Sequence, residues 1–239
     1  MALGLSACID AQNAGQPQRQ TSPVGVFTSL PIFWAESDDL RTHLNSDAPP
    51  HWVLTALRRH GEVRPLDSLM PQDGELARGE IGMLILAQPR ALAAEENVAL
   101  DAWVRGGGRL LLFADPMLTE ESAFPLGDKR RPQDMVLLSP ILDHWKLRLL
   151  FDEEQAPGER QAEIAGIAVP VNLVGRLEVA PGSRHCELLG EGIAAQCRLG
   201  KGHVLLVADA ALLERGHDAG ASGRSAALDR LIARLAGTK

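Results

Sequence analysis

The apolar positions of the chain follow two periods. Short runs without helical spacing predict strands buried on both faces: Val24 to Leu30, Ile81 to Ala87, Arg109 to Ala114 and Val204 to Ala208. Between them, apolar residues recur at i, i+3 and i+4. Pro49-Pro50 opens HWVLTALRRHG, where Val53, Ala56 and Leu57 share a face, and Arg58, Arg59 and His60 stand where a helix C-terminus favours positive charge. A second helix is expected from Ala93, with Glu95 and Glu96 in its first turn and an end at Arg105 and the triplet Gly106-Gly107-Gly108. SPILDHWKL predicts a third helix, followed by a strand RLLF. The C-terminal helix carries one stripe of Leu228, Leu231, Ile232 and Leu235. EVRPL reads as an edge strand, because Pro65 has no N–H to donate to a ladder.

Alternation of such strands and helices predicts an α/β fold with a parallel, flavodoxin-like sheet covered by helices on both faces. Two stretches depart from it. Residues 116–135 form a polar, proline-containing loop longer than the usual strand–helix connection, a place where function tends to sit. Residues 152–198 hold short β-like pieces punctuated by Gly and Pro, read as a β-rich insertion within one domain spanning 23–239. Residues 1–22 read as a polar tether.

At 239 residues and 45% hydrophobic, the chain can bury a full core. A net charge of -7 argues against nucleic acid as a partner, with Lys129-Arg130-Arg131 as a local exception. No apolar run approaches the roughly 20 residues of a membrane-spanning helix, so a membrane would be reached only through a lipid anchor. Leu5-Ser6-Ala7-Cys8 has the pattern of a lipoprotein cleavage box, with Cys8 as the acylated residue; the alternative is a chance tetrapeptide. Cys186 and Cys197 lie in neighbouring β-like segments and either pair as a disulfide or stay as two small buried thiols. No cysteine–histidine spacing suits zinc, and neither a metal nor a cofactor is expected.

Three stretches in order carry a family resemblance. ALDAWVRGGGRLLLFADP resembles the helix, glycine turn, strand and Asp-Pro segment of ABC-transporter auxiliary proteins of the gliding-motility type. That domain is related to the intraflagellar-transport and class I glutamine-amidotransferase-like fold. SPILDHWKLRL resembles the segment that follows it there, and GKGHVLLVADAALL the C-terminal strand-Asp motif. The resemblance covers most of residues 80–215. It implies a non-catalytic binding module beside an ABC-type transporter or another envelope component, at the periplasmic face, with the cytoplasm as the alternative.

In open parallel sheets, ligands collect at the C-terminal strand ends. Ser29, Trp34, Gln88, Asp115 and Asp209 should lie along that edge, forming a cleft for a partner peptide or small polar ligand. Against this, each aspartate can simply accept backbone N–H bonds in the turn after its strand. A small hydrolase using Asp115 or Asp209 is a second reading, and a purely structural interaction protein a third. No Gly-x-Ser-x-Gly or Gly-x-Cys-x-Gly elbow occurs, so no catalytic residue is assigned. The glycine clusters at 106–108 and 200–202 precede strands and read as turns, the reverse of a phosphate-binding order.

Overall fold

The computed structural model describes residues 22–34, 50–70, 76, 79–215 and 221–237. Along the chain these form β1 (Val24–Thr28), α1 (Trp52–Leu57), β2 (Val63–Pro65), β3 (Met83–Ala87), α2 (Ala94–Gly106) and β4 (Arg109–Phe113). Then come α3 (Ser139–His144), β5 (Leu147–Leu150), β6 (Arg160–Ile164), β7 (Ile167–Val171) and β8 (Arg176–Val179). The chain ends with β9 (Cys186–Leu189), β10 (Ala194–Leu199), β11 (Gly202–Val207) and α4 (Ala221–Gly237).

A seven-stranded sheet runs in the order β2-β1-β3-β4-β11-β10-β9. Its first five strands are parallel; β10 runs antiparallel to β11, and β9 antiparallel to β10. The fold is therefore mixed α/β with a mostly parallel central sheet. The four predicted apolar runs are its adjacent inner strands β1, β3, β4 and β11, and Pro65 lies on the predicted edge.

Burial on both faces explains why these strands read as continuous apolar runs. In β4, Leu111 and Phe113 point to one side, where they pack in a core with Leu57 of α1 and Leu228 and Leu231 of α4. Leu110 and Leu112 point to the other, with Leu100 and Val104 of α2 and Ile141 and Leu142 of α3. All four β4 side chains are fully buried, and truncating such a leucine to alanine costs about 2–5 kcal/mol. The predicted C-terminal stripe is wholly buried in the first of these cores.

The two glycine clusters let α2 and β11 close on each other. A Cβ on Gly202 would fall 1.8 Å from the Val104 carbonyl oxygen, and one on Gly108 would fall 2.3 Å from the Trp103 ring. Both clusters are tight packing turns, as their position before strands implied.

Three features differ from the sequence reading. The helix at Trp52 ends at Leu57, and Arg58 to His60 make turns rather than a final helical turn. The strand after α3 leaves the central sheet: β5 pairs with β8, while β6 and β7 form a separate hairpin. The chain also rejoins the main sheet earlier than β11, because β9 and β10 add to its edge. Their alternating burial suits a hairpin in any sheet, so the sequence pattern alone did not distinguish an insertion from an extension.

Candidate functional site at the strand ends

The C-terminal ends of β3, β4 and β11 carry three buried polar side chains. Asp115 follows β4 and is wholly buried. One carboxylate oxygen accepts from the Met117 N–H at 2.8 Å and the other from the Ala210 N–H at 3.0 Å. Asp209 follows β11 in the same manner, accepting from Ala211 N–H at 2.6 Å and from Asn172 N–H, just past β7, at 2.9 Å. Each aspartate thus closes its own two-residue turn and ties it to a neighbouring segment. Burial pushes both carboxyls well above the ordinary carboxylate range. The charge of Asp115 pushes Asp209 further, and Glu214 acts on both in the same direction.

Gln88, after β3, is equally committed. Its side-chain oxygen accepts from Asp115 N–H at 2.9 Å, and its amide donates to the carbonyls of Asp115 at 3.1 Å and Gln133 at 2.8 Å. Its φ of +44° is left-handed, a conformation held here by those three bonds. Ser29, after β1, donates to the Gln88 carbonyl at 2.5 Å and accepts from Gln133 N–H at 3.0 Å. These residues fasten the long 116–135 loop onto the sheet. The expectation that Gln88, Asp115 and Asp209 line a cleft is thereby corrected. They lie on the predicted edge, but their side chains turn inward because buried backbone donors and acceptors there need partners.

The open space on this edge lies elsewhere. A cavity of about 340 Å³ sits over the end of β1, lined by Phe27, Thr28, Ser29, Trp34, Asp67, Arg90, Gln133 and the run Lys129 to Arg131. It lies where the strand order reverses, between β2-β1 and β3-β4, the place at which open α/β sheets leave a crevice. Of the predicted cleft residues, the structure brings Ser29 and Trp34 together here, and Trp34 is 39% exposed.

The crevice is basic in its lining, but its arginines are engaged. Arg90 grips Glu96 through both terminal nitrogens, at 2.7 and 2.8 Å, and stacks over Phe27 at 4.8 Å. The Arg90 guanidinium beside it, together with the Ala93 and Leu69 N–H donors, holds the Glu96 carboxyl down at about 2 against its burial. Arg130 stacks on Phe124 at 4.1 Å and pairs with Asp128; Arg131 pairs with Asp134. Lys129 has no ion pair among the described residues. Arg90, Asp67 and Gln133 were not foreseen. The Lys129-Arg130-Arg131 cluster within an overlong loop is the visible sequence signal for this wall.

A second polar group flanks the edge near Trp34. Buried His51 accepts from the Val53 N–H and caps α1; burial, aided by the Arg215 charge, lowers it to about 4, so it is neutral near pH 7. Trp52 donates to the Glu214 carbonyl at 3.0 Å, and the Thr119 hydroxyl to the Glu214 carboxylate at 2.6 Å. Trp145 packs within the core on the α2–α3 side, and half-buried Trp103 packs against it. Cys186 and Cys197, directly opposed in β9 and β10, are joined as a disulfide. Cys8 lies outside the described residues.

Neither a family model nor a curated protein sequence matches the chain. Solved structures do match it in fold. The exo-β-1,4-mannosidase Op5Man5 from Opitutaceae bacterium strain TAV5 is similar over 89% of this chain and 35% of its own, at 14% identity and a TM-score of 0.51. Gan42B, a GH42 β-galactosidase from G. stearothermophilus, is similar over 91% of this chain and 30% of its own, at 11% identity and a TM-score of 0.51. A cytoplasmic protein of Salmonella typhimurium is similar over 88% of this chain and 98% of its own, at 11% identity and a TM-score of 0.50. The chain thus spans about a third of those two glycosidases and nearly the whole of the Salmonella protein. At these identities the likeness is one of fold.

Proposed function

We propose that the chain is a non-catalytic binding module of the flavodoxin-like, class I glutamine-amidotransferase-like kind, acting beside an ABC-type transporter or another envelope assembly. The strand order supports the fold: its parallel strands, taken in chain order, run 2-1-3-4-5, the doubly wound order with a switch point between the first and third. One observation carries the absence of catalysis from this reading. The turns after β4 and β11, where a nucleophile or acid would stand, hold aspartates whose oxygens are occupied by backbone N–H groups and closed to solvent. The open crevice beside Trp34 is then the binding surface, for a partner peptide or a small polar ligand.

The transporter setting rests on the motif resemblance. The envelope setting draws on that, on the Cys8 box and on the Cys186–Cys197 bridge, since such bonds persist in oxidising compartments. A purely structural interaction protein is the second reading, favoured by the way both aspartates serve turns.

The test pairs two measurements. A broad panel of esters and amides should show no turnover that Asp115→Asn removes with the fold intact. Trp34→Ala should weaken association with an ABC-type transporter or envelope component that co-purifies with the wild-type chain, with the wild-type fold retained. Turnover abolished by Asp115→Asn would replace this reading with the hydrolase. Association indifferent to Trp34 would move the contact away from the crevice.

A further inference from the structure

A cavity of about 690 Å³ lies away from the crevice, between the two small sheets of the insertion. Its walls come from the exit of β5, the start of β8, the Gly190–Gly192 turn and the first residue of β6. It belongs to the strand-end edge, since the Gly175 N–H in its wall donates to the Ala208 carbonyl, just past β11, at 2.8 Å. Leu150, Phe151 and Ile193 give it an apolar lining, and Leu150 is 37% exposed. Contacts run from β5 to β8, from β8 to the 190–192 turn and from that turn to β6. Four charged side chains therefore follow in the order Asp152, Arg176, Glu191, Arg160. No ion pair joins any two of them; Arg176 pairs instead with Glu178 at 3.2 Å. The Asp152 carboxylate accepts only the Glu154 N–H, at 3.0 Å, and the side chains of Glu191 and Arg160 have no polar partner among the described residues. Arg160 stands across from Val171 and shares its strand face with buried Ala162 and Ile164, which directs it over the cavity. Glu191 is presented by a turn whose three residues all have positive φ, and at +58° it is the one among them that is not glycine.

We propose that this cavity binds a free basic amino acid of the lysine type. The charge balance of the walls sets the class. With Arg176 neutralised by Glu178, two carboxylates and one guanidinium face the cavity without an ion-pair partner among the described residues. A ligand with two cationic groups and one carboxylate matches that set. An anion alone would meet Asp152 and Glu191, and a simple diamine would leave Arg160 unanswered; each mismatch opposes binding. Arg160 takes the carboxylate, which its planar guanidinium can grip through two N–H groups. Glu191, next in the row, takes the α-ammonium beside that carboxylate. Asp152, at the far end, takes the side-chain ammonium, and the aliphatic stem between them lies on Leu150, Phe151 and Ile193. The inference stands on this cavity and does not depend on the crevice beside Trp34.

The probe is L-lysine, titrated against the full chain and followed in its amide NMR spectrum. Saturable shifts are expected at residues 150–152, 160, 175–176 and 190–193. Norleucine, which lacks the side-chain ammonium, and cadaverine, which lacks the carboxylate, should each bind about tenfold more weakly or worse. Arg160→Gln should weaken lysine about tenfold and leave cadaverine unchanged. Asp152→Asn, which keeps an acceptor for the Glu154 N–H, should weaken lysine and leave norleucine unchanged. Circular dichroism confirms that each variant folds, and Trp34→Ala should alter none of these affinities. The proposal is overturned by no saturable shift with lysine, ornithine or arginine up to about 10 mM. It is equally overturned by norleucine or cadaverine binding as tightly as lysine, by Arg160→Gln weakening lysine and cadaverine alike, or by loss of lysine binding in Trp34→Ala.

Discussion

The exits of β4 and β11 and the exit of β1 lie on one edge of one sheet and use similar polar residues, yet the first pair is closed and the other open. At β4 and β11 the chain turns sharply, brings Met117, Ala210, Ala211 and Asn172 N–H groups out of water, and spends Asp115 and Asp209 on them. At β1 the strand order reverses, so the connections diverge and leave a gap that no side chain fills. A polar residue at a strand end therefore marks a site only where topology leaves room beside it.

The sharpest way to break this contrast is Asp115→Ala. It leaves two backbone donors without acceptors, one of them buried, and should cost about 3 kcal/mol in urea unfolding, while leaving crevice association unchanged in the folded fraction. A loss under about 0.5 kcal/mol would mean the carboxylate is not needed by the turn, and would return Asp115 to the list of functional candidates.

The pH dependence comes next. The folded state raises Asp115 to about 7 and Asp209 to about 8, chiefly by burial, whereas both release their protons near 4 when unfolded. Between those limits the folded chain binds more protons, so this contribution is full below about pH 4 and is lost as pH rises through 7 to 8. The pair titrates jointly, and the loss should be on the order of several kcal/mol between pH 5 and 8.5. Asp209→Asn, which keeps one acceptor oxygen, should flatten that slope. Glu96 has the opposite sign: Arg90 holds it near 2, so its contribution is present above about 4.5 and disappears in stronger acid. A denaturation midpoint constant from pH 5 to 8.5 would show that the two aspartates are ionised and solvated.

Smaller effects separate Ser29 from Trp34 within the crevice. Ser29→Ala removes a donor to Gln88 and an acceptor for Gln133, for a loss of about 1 kcal/mol and a looser 116–135 loop in hydrogen exchange. Trp34→Ala should change stability by less than about 0.5 kcal/mol, since the side chain is exposed, and act on association alone. Equal stability losses from the two would dissolve the distinction between a wall that holds the fold and a rim that meets a partner.

The inner strands are legible because burial on both faces confines polar residues to their ends, at Thr28, Arg109 and His203, and Pro65 identifies an edge because it cannot donate. What was not legible depends on where two elements meet. RLLF is a good strand in any sheet; only the geometry of α3 and the insertion directs β5 to β8 instead of β4. The polar residues of the candidate site were placed on the correct edge by strand order alone. Their division into closed and open groups depends on which backbone donors become buried, and no single residue type records that. The basic run at 129–131 announced one wall of the crevice, but its partners Asp128, Asp134 and Phe124 show that its charge is mostly spent locally.

The parallel pairing of β4 with β11 also sets a timetable. Leu110 to Phe113 find their neighbours Val204 to Val207 only after about ninety further residues have been made. At roughly 5–20 residues per second, a nascent chain exposes that apolar edge for several seconds before its ladder can form. The loop to be closed is long and the contacts non-local, so refolding should be slow and prone to aggregation, and a chaperone's help would be felt most in this interval. Chains truncated before Gly202 leave β4 as an edge strand, paired with β3 and bare on its other side, and should accumulate as insoluble product, whatever the fate of the crevice.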